Sequence, residues 1–334
     1  MASGTLKKLI NDPADVVDEL LEAFVAAHSD LVALAAPRVV VRAAPATGKV
    51  GVTIGGGSGH EPAMIGYVGL GFADSAAAGN IFAAPGHEIV LESIRAADHG
   101  RGVVLLYGNY SGDVLNCRLA IQRAAAEGID VRAVYVSDDL ASAPPEEAEK
   151  RRGIAGDIVV FKAAGAAAES GLPLDEVERI ARHANAATRS IGVALSGAEL
   201  PGATSPTFEC GPNEMEVGLG VHGEPGVSRQ ALASADEVGA LLAERILGDL
   251  DCPAGASVAV LVNGLGATPP LELYLVYRGA RRVLAECGLT IARTYVGEFI
   301  TSLQMAGLSV TVTRLDDELL ALLDAPAKTV RFVQ

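Results

Sequence analysis

Val50-Gly51-Val52-Thr53-Ile54-Gly55-Gly56-Gly57-Ser58-Gly59-His60-Glu61-Pro62 runs from an apolar strand, read over 50–54, straight into a glycine-rich loop that carries one histidine. Glycine accepts positive φ and lets the backbone come close to a ligand, and proline then restarts an extended or helical segment. Pro62 fits the first position of a following helix. A strand, a tight loop and a helix in that order form the repeating unit of a parallel α/β sheet. Ligands on such sheets collect at the carboxyl ends of the strands.

The same pattern extends in both directions. Upstream, Asp12-Pro13 opens a helix whose apolar stripe is Val16, Val17, Leu20, Leu21, Phe24 and Val25, and a strand follows over 39–41. Downstream come a helix over 88–98, an apolar strand over 103–107, a loop over 108–113, a helix over 114–127 and a strand over 131–136. His60 and Asp113 therefore both fall just past a strand's carboxyl end, on one rim. The acidic stretch 138–150 reads as a solvated surface connector. Helices over 154–170 and 175–189 lead to a strand over 191–195, and the Gly/Pro-rich stretch 196–213 is the strongest boundary signal in the chain. Strands over 215–221, 257–262, 290–296 and 309–314 then alternate with helices over 236–247, 271–287 and 316–323. The expected fold is α/β with two α/β domains. Residues 1–190 build a largely parallel sheet covered by helices, and residues 191–334 build a smaller mixed α/β sandwich.

Composition narrows the function. The chain has 334 residues, half of them hydrophobic and 20% charged, enough for a sizeable core. A formal net charge of −15 argues against nucleic acid or an anionic membrane as partner, and it repels free nucleotide unless a metal or another subunit supplies positive charge. Residues 1–11 hold no apolar stretch resembling a signal peptide, and the most apolar windows, such as 258–262, are of strand length. Cys117, Cys210, Cys252 and Cys287 are scattered without C-x-x-C spacing, which reads as reduced thiols in a cytoplasmic protein.

Several motifs fail. Gly218-x-Gly220-x-x-Gly223 matches the dinucleotide fingerprint formally, but Pro225 and Gly226 stand where the phosphate-binding helix should begin. Gly48-Lys49 lacks both the leading glycine and the Ser/Thr of a P-loop, and no kinase H-R-D or D-F-G set occurs. Gly56-x-Ser58 has His60 where a hydrolase elbow needs glycine. No H-x₃-H pair or carboxylate cluster suggests a metal, so none is expected.

What survives is Gly57, Ser58, Gly59, His60, Asp113 and a second glycine-crowded histidine, His222, in Glu216-Val217-Gly218-Leu219-Gly220-Val221-His222-Gly223-Glu224-Pro225. Asp113 reads either as a functional carboxylate or as the cap of the helix after it. Either histidine alone is as readily structural as functional. Two imidazoles held among glycines suit a small polar ligand, and a neutral imidazole is a competent nucleophile near pH 7.

Residues 55–62, Asn109-Tyr110-Ser111-Gly112-Asp113-Val114-Leu115-Asn116, residues 213–226 and Asn263-Gly264-Leu265-Gly266-Ala267-Thr268-Pro269 together resemble the dihydroxyacetone kinase substrate-binding (K) subunit family, over about 6–326. The resemblance implies two α/β domains, a homodimer and a short ketose held covalently. His222 corresponds to the family's nucleophile, which forms a hemiaminal with the ketone. His60 and Asp113 correspond to its acid/base residues, and Gly57, Ser58, Gly59 and His60 to its substrate loop. Two departures stand out. Gly108 occupies a place where the family commonly carries lysine, with Ser111 for threonine beyond it, and Asn80 occupies the place of a glutamate. Both alter the expected polar lining of the pocket and make a four-carbon ketose such as erythrulose an alternative to dihydroxyacetone.

The resemblance further implies that no cofactor is bound by this chain. ATP or ADP with Mg²⁺ is expected on a separate nucleotide-binding L-type subunit, because the K-type pattern ends near residue 320 and no helical nucleotide domain follows. The function implied is that of a dihydroxyacetone (glycerone) kinase subunit. The rival is a non-catalytic ketose sensor that signals to a regulator.

Overall fold

In the computed structural model, which describes residues 7–224 and 226–334, the alternating strands and helices form two six-stranded sheets in two compact units. Residues 1–6 of the N-terminal stretch 1–11, and Pro225 of the second histidine motif, lie outside the described residues.

One unit comprises Leu9–Val136, Asp157–Asn185 and Glu318–Gln334. In chain order it contains α1 (Val16–Ala27), β1 (Val32–Ala36), β2 (Val39–Arg42), β3 (Gly51–Ser58), β4 (Gly69–Leu70), β5 (Ser75–Ile81), α2 (His87–Ala97), β6 (Val103–Gly108), α3 (Ser111–Ala126), β7 (Val131–Val136), α4 (Asp157–Glu169) and α5 (Leu174–Ala186). The sheet order is β1-β2-β5-β3-β6-β7; β5, β3, β6 and β7 run parallel, and β1 and β2 form an antiparallel edge. The unbroken apolar run of β6 is what a central parallel strand buried on both faces requires. Val103, Leu105 and Tyr107 pack with α2 and α3, while Val104 and Leu106 on the other face are equally buried. Helix α4 lies against β3 and β6 and is buried along all but its last residue, which its alanines and Gly165 permit.

The other unit comprises Ser137–Gly156 and Ala186–Asp317, with Lys7 and Lys8. It contains β8 (Thr188–Ala194), β9 (Glu214–Val217), β10 (Ser228–Ala231), α6 (Ala235–Leu247), β11 (Ser257–Gly264), α7 (Pro270–Glu286), β12 (Thr290–Gly297) and β13 (Gly307–Leu315). The order is β10-β9-β8-β13-β11-β12, and only β11 and β12 run parallel. Helices α6 and α7 pack on each other and on a core of Ile191, Val193, Leu242, Val260, Val276 and Val310. After β13 the chain returns to the first unit with α8 (Asp317–Asp324) and the short β14 (Lys328–Thr329), which pairs with β4.

Both sheets agree with the expected α/β class, the first largely parallel and the second mixed. The division of the chain differs from a single boundary at 190/191. The Gly/Pro-rich stretch 196–213 lies wholly within the second unit, and its glycine marks close packing: a methyl group on Gly197 would stand 2.4 Å from the Phe208 carbonyl oxygen. The second unit instead borrows 137–156. That stretch is anchored, not solvated, at its start, where Asp138 and Asp139 are almost fully buried and Asp138 accepts the Ile154 and Gly156 amides, both at 2.8 Å. Among the described residues no helix is long and apolar enough to cross a membrane, and none of the four cysteines forms a disulfide.

Candidate active site

Packing imposes the glycines of the first motif. A methyl group on Gly55 would lie 2.2 Å from the Tyr107 hydroxyl oxygen, and one on Gly57 would lie 2.7 Å from the Ala83 amide nitrogen. Strand β3 can pass there only as glycine. The stretch 55–58 is therefore strand, not loop, and the turn begins at Gly59. Pro62 opens no α-helix either: turns lead to a single 3₁₀ turn at Ile65–Tyr67. Ser58 closes the strand by donating its Oγ to the Gly79 carbonyl at 2.8 Å. Gly59 turns with φ +96°, and its amide donates to both carboxylate oxygens of Glu61 at 3.1 and 3.0 Å. Burial pushes the Glu61 carboxyl above its ordinary value, against the lowering pull of these backbone amides. His60, 4% exposed, stacks on Phe82 with ring centroids 4.9 Å apart and planes 17° from parallel. The Phe82 amide in turn donates to the Ser58 carbonyl at 2.9 Å.

Gly108 ends β6, the parallel neighbour of β3. The chain turns through Asn109, whose amide donates to Val136 at 3.0 Å, and Tyr110, whose amide donates back to Gly108 at 2.9 Å. Helix α3 starts at Ser111 with Tyr110 as its cap residue. Asp113 is thus not the cap. It stands in the first turn, 8% exposed, where aligned backbone amides favour a carboxylate. Burial and then the Asp113 charge push the Cys117 thiol up, which keeps that cysteine protonated and unsuited to nucleophilic chemistry. A methyl group on Gly112 would rest 3.4 Å from the Ala84 β-carbon, so the start of α3 meets the turn that holds the His60 stacking partner. Gly57, Ser58, Gly59, His60, Gly108 and Asp113 share one rim of the first unit's sheet.

His222 belongs to the second unit, in the turn after β9. Its surroundings resolve what the surrounding glycines are for. Glu224 folds back: one carboxylate oxygen accepts the His222 amide at 3.0 Å and the other faces Nδ1 at 3.1 Å. A methyl group on Gly220 would sit 2.2 Å from the first of these oxygens, so glycine there makes room for the carboxylate. Burial opposes ionisation of Glu224, but its hydrogen bond to His222, the His222 charge and the nearby Arg152 prevail and hold the carboxyl at about 2. The carboxylate at Nδ1 keeps that nitrogen protonated, and in the neutral ring the lone pair then resides on Nε2. The backbone is pinned as well. Ser302 donates its hydroxyl to the Val221 carbonyl, and Asn263 of the fourth motif accepts the Phe299 and Ile300 amides, each at 2.9 Å, ordering the segment that carries Ser302.

Glu224, Arg152 and Ser302 are the residues that sequence reasoning missed. Glu224 lay inside the quoted motif and was legible only as its acidic member; Arg152 and Ser302 carry no local signal. Asn80 is exposed at the end of β5 and accepts a hydrogen bond from Arg38.

Residues 22–331 match the Dak1 domain family. An L-erythrulose 1-kinase of Mycolicibacterium smegmatis is 48% identical over 96% of this chain and 57% of its own length. A PTS-dependent dihydroxyacetone kinase, dihydroxyacetone-binding subunit, of Listeria innocua is 44% identical over 98% of this chain and 99% of its own. The chain therefore spans a little over half the length of the erythrulose kinase and nearly all of the binding subunit. Among solved structures, a dihydroxyacetone kinase operon co-activator superposes with a TM-score of 0.90 at 31% identity, covering 97% of this chain and 99% of that one.

Proposed function

The chain belongs to the Dak1 domain family, and from that premise we propose that it is the ketose-binding subunit of a dihydroxyacetone kinase, a phosphotransferase with an alcohol acceptor. The His222 Nε2 lone pair adds to the ketone carbon. A C–N bond forms, the carbonyl π pair moves to oxygen, and that oxygen takes a proton to give the hemiaminal. The positive charge that addition places on the ring is met by the Glu224 carboxylate at Nδ1. The backbone of Gly57, Gly59 and Gly108 and the Ser58–His60 turn contact the ketose, and His60 and Asp113 move the proton of its terminal hydroxyl during phosphoryl transfer. The nucleotide with its Mg²⁺ is carried by a separate L-type subunit, and the ketose-binding chain is a homodimer. One observation carries the reading: Glu224 holds His222 by both its amide and its Nδ1, as an oriented nucleophile requires. The presence of His60 and Asp113 in addition to His222 favours the enzyme over a regulator, because a sensor of ketose needs only the binding histidine.

The test is ¹³C NMR with [2-¹³C]dihydroxyacetone. The native protein is expected to show a bound tetrahedral carbon, and His222→Ala to lose it while keeping its circular dichroism. An undiminished adduct in His222→Ala would move the nucleophile to another residue.

A second reading, a four-carbon ketose, is favoured by Gly108. A β-carbon there would stand 3.2 Å from the Tyr110 ring and 3.4 Å from the Asp157 carboxylate, close enough that a neighbour would have to give, so glycine suits this packing and removes the charged donor that a lysine would supply. Erythrulose is then expected to reach at least the kcat/KM of dihydroxyacetone, with both measured beside the nucleotide-carrying partner. Pocket differences of this size discriminate by about 1–3 kcal/mol. A strong preference for dihydroxyacetone would refute the second reading and leave the first intact.

A further inference from the structure

Behind Glu224 stands a second charged layer. Arg152 reaches toward the Glu224 oxygen that faces Nδ1, with Nη1 at 3.7 Å. Its Nε and Nη2 donate to one oxygen of Asp139 at 3.1 and 2.9 Å. Asp139 is 1% exposed, and its other oxygen accepts the Ala141 amide at 3.1 Å. The Arg152 backbone is tied to the same loop: its amide donates to Ser142 Oγ at 2.9 Å, and its carbonyl accepts the Asp139 amide at 3.0 Å. The guanidinium is thereby fixed at both ends, with one nitrogen aimed at the carboxylate.

Gly220 makes the same point independently. A methyl group there would lie 2.2 Å from Glu224 and also 2.7 Å from Arg152 Nη1, so this glycine sits where the two opposite charges meet. A solvated surface arginine would need no such clearance.

We propose that Arg152, fastened by Asp139, is a positioning residue that fixes the Glu224 carboxylate and through it selects the Nδ1–H form and the rotation of the His222 ring. The inference deepens the proposed function, and rests on it for the assignment of His222 as nucleophile. A carboxylate gripped from one side only can rotate away from its imidazole, and outer partners of this kind orient an inner ligand and its tautomer. Planar, permanently charged guanidinium suits the task better than ammonium, because it can hold Asp139 with two nitrogens and still present a third.

The experiment measures two things on ¹⁵N-histidine-labelled full-length protein: the His222 ring-nitrogen signals without ketose, and the dissociation constant for [2-¹³C]dihydroxyacetone. The native ring is expected to show one Nδ1–H population. R152Q should mix the tautomers and weaken ketose binding about tenfold. R152K should restore part of both, and G220A, which alters no charge, should reproduce R152Q. If R152Q does not fold, R152Q/D139N, which leaves no lone buried carboxylate, takes its place. Native tautomer and native affinity in both the Arg152 variant and G220A would overturn the proposal. A shifted tautomer in R152Q, with no adduct in any variant or in the native protein, would uphold the positioning role and overturn His222 as nucleophile.

Discussion

Asp113 and His60 show how burial and position make chemistry from ordinary side chains. Asp113 is the third residue of α3, buried in the first turn, where a helix favours a carboxylate. His60 is nearly sealed by its stack on Phe82, which restricts ring motion. Asp113→Asn and His60→Asn preserve shape while removing the base, so both are expected to bind ketose but lose about 10²-fold or more in kcat, assayed with the nucleotide-carrying partner. Unchanged turnover in both would reduce them to pocket walls. At this scale the sequence exposed the side chains that glycines surround, because a histidine between glycines is conspicuous. It did not expose Arg152, whose approach to Glu224 depends on a fold-back of 137–156 that no local pattern encodes.

At the scale of elements, strand β3 decides where the rim lies, and its glycines are set by neighbours on both sides. Gly55 pairs with Ala77 of β5 and Tyr107 of β6. A methyl group there would meet the Tyr107 hydroxyl at 2.2 Å and the Ala77 carbonyl oxygen at 2.8 Å, and backbone cannot yield as a flexible side-chain tip can. Gly55→Ala is therefore expected to lower the urea denaturation midpoint, with a loss of about 1–3 kcal/mol in unfolding free energy, through overpacking alone. An unaffected midpoint would mean that β3 can shift within its sheet. The apolar strands and amphipathic helices were legible to within a few residues because their periods are strong, as in β6 and α2. The end of β3 was read as loop because glycine's turn preference is local while its exclusion of side chains here is tertiary. β1, β5 and β10 left little trace: β1 is a short alanine-rich edge, β5 is Ser-Ala-Ala-Ala-Gly-Asn-Ile with no large apolar residue before its end, and β10, Ser-Arg-Gln-Ala, alternates half-exposed positions without an apolar face.

At the scale of the whole molecule, two α/β sheets were legible from the alternation of elements, but the partition of the chain was not. Leaving one sheet for another at 136/137 and 156/157 needs no Gly/Pro signal when buried aspartates anchor the excursion. Charge distribution makes the final prediction. A net charge of −15 disfavours polyphosphate, but at physiological ionic strength repulsion is screened beyond about 8 Å, so a local site would still suffice. The usual local site is a helix N-terminus, whose free amides and dipole hold phosphate. Each α-helix among the described residues already carries acid in its first turn: Asp18 and Glu19 in α1, Glu88 in α2, Asp113 in α3, Asp157 in α4, Asp175 and Glu176 in α5, Asp236 and Glu237 in α6, Glu272 in α7, and Asp317 and Glu318 at the start of α8. Those carboxylates stabilise their own helices and repel a nucleotide from the same amides. Calorimetric titration of the chain alone with Mg-ATP should accordingly give no binding heat, at low salt as at high salt. Ketose phosphorylation should appear only when the nucleotide-carrying partner is added. A micromolar dissociation constant for Mg-ATP on this polypeptide by itself would overturn the division of labour between two subunits.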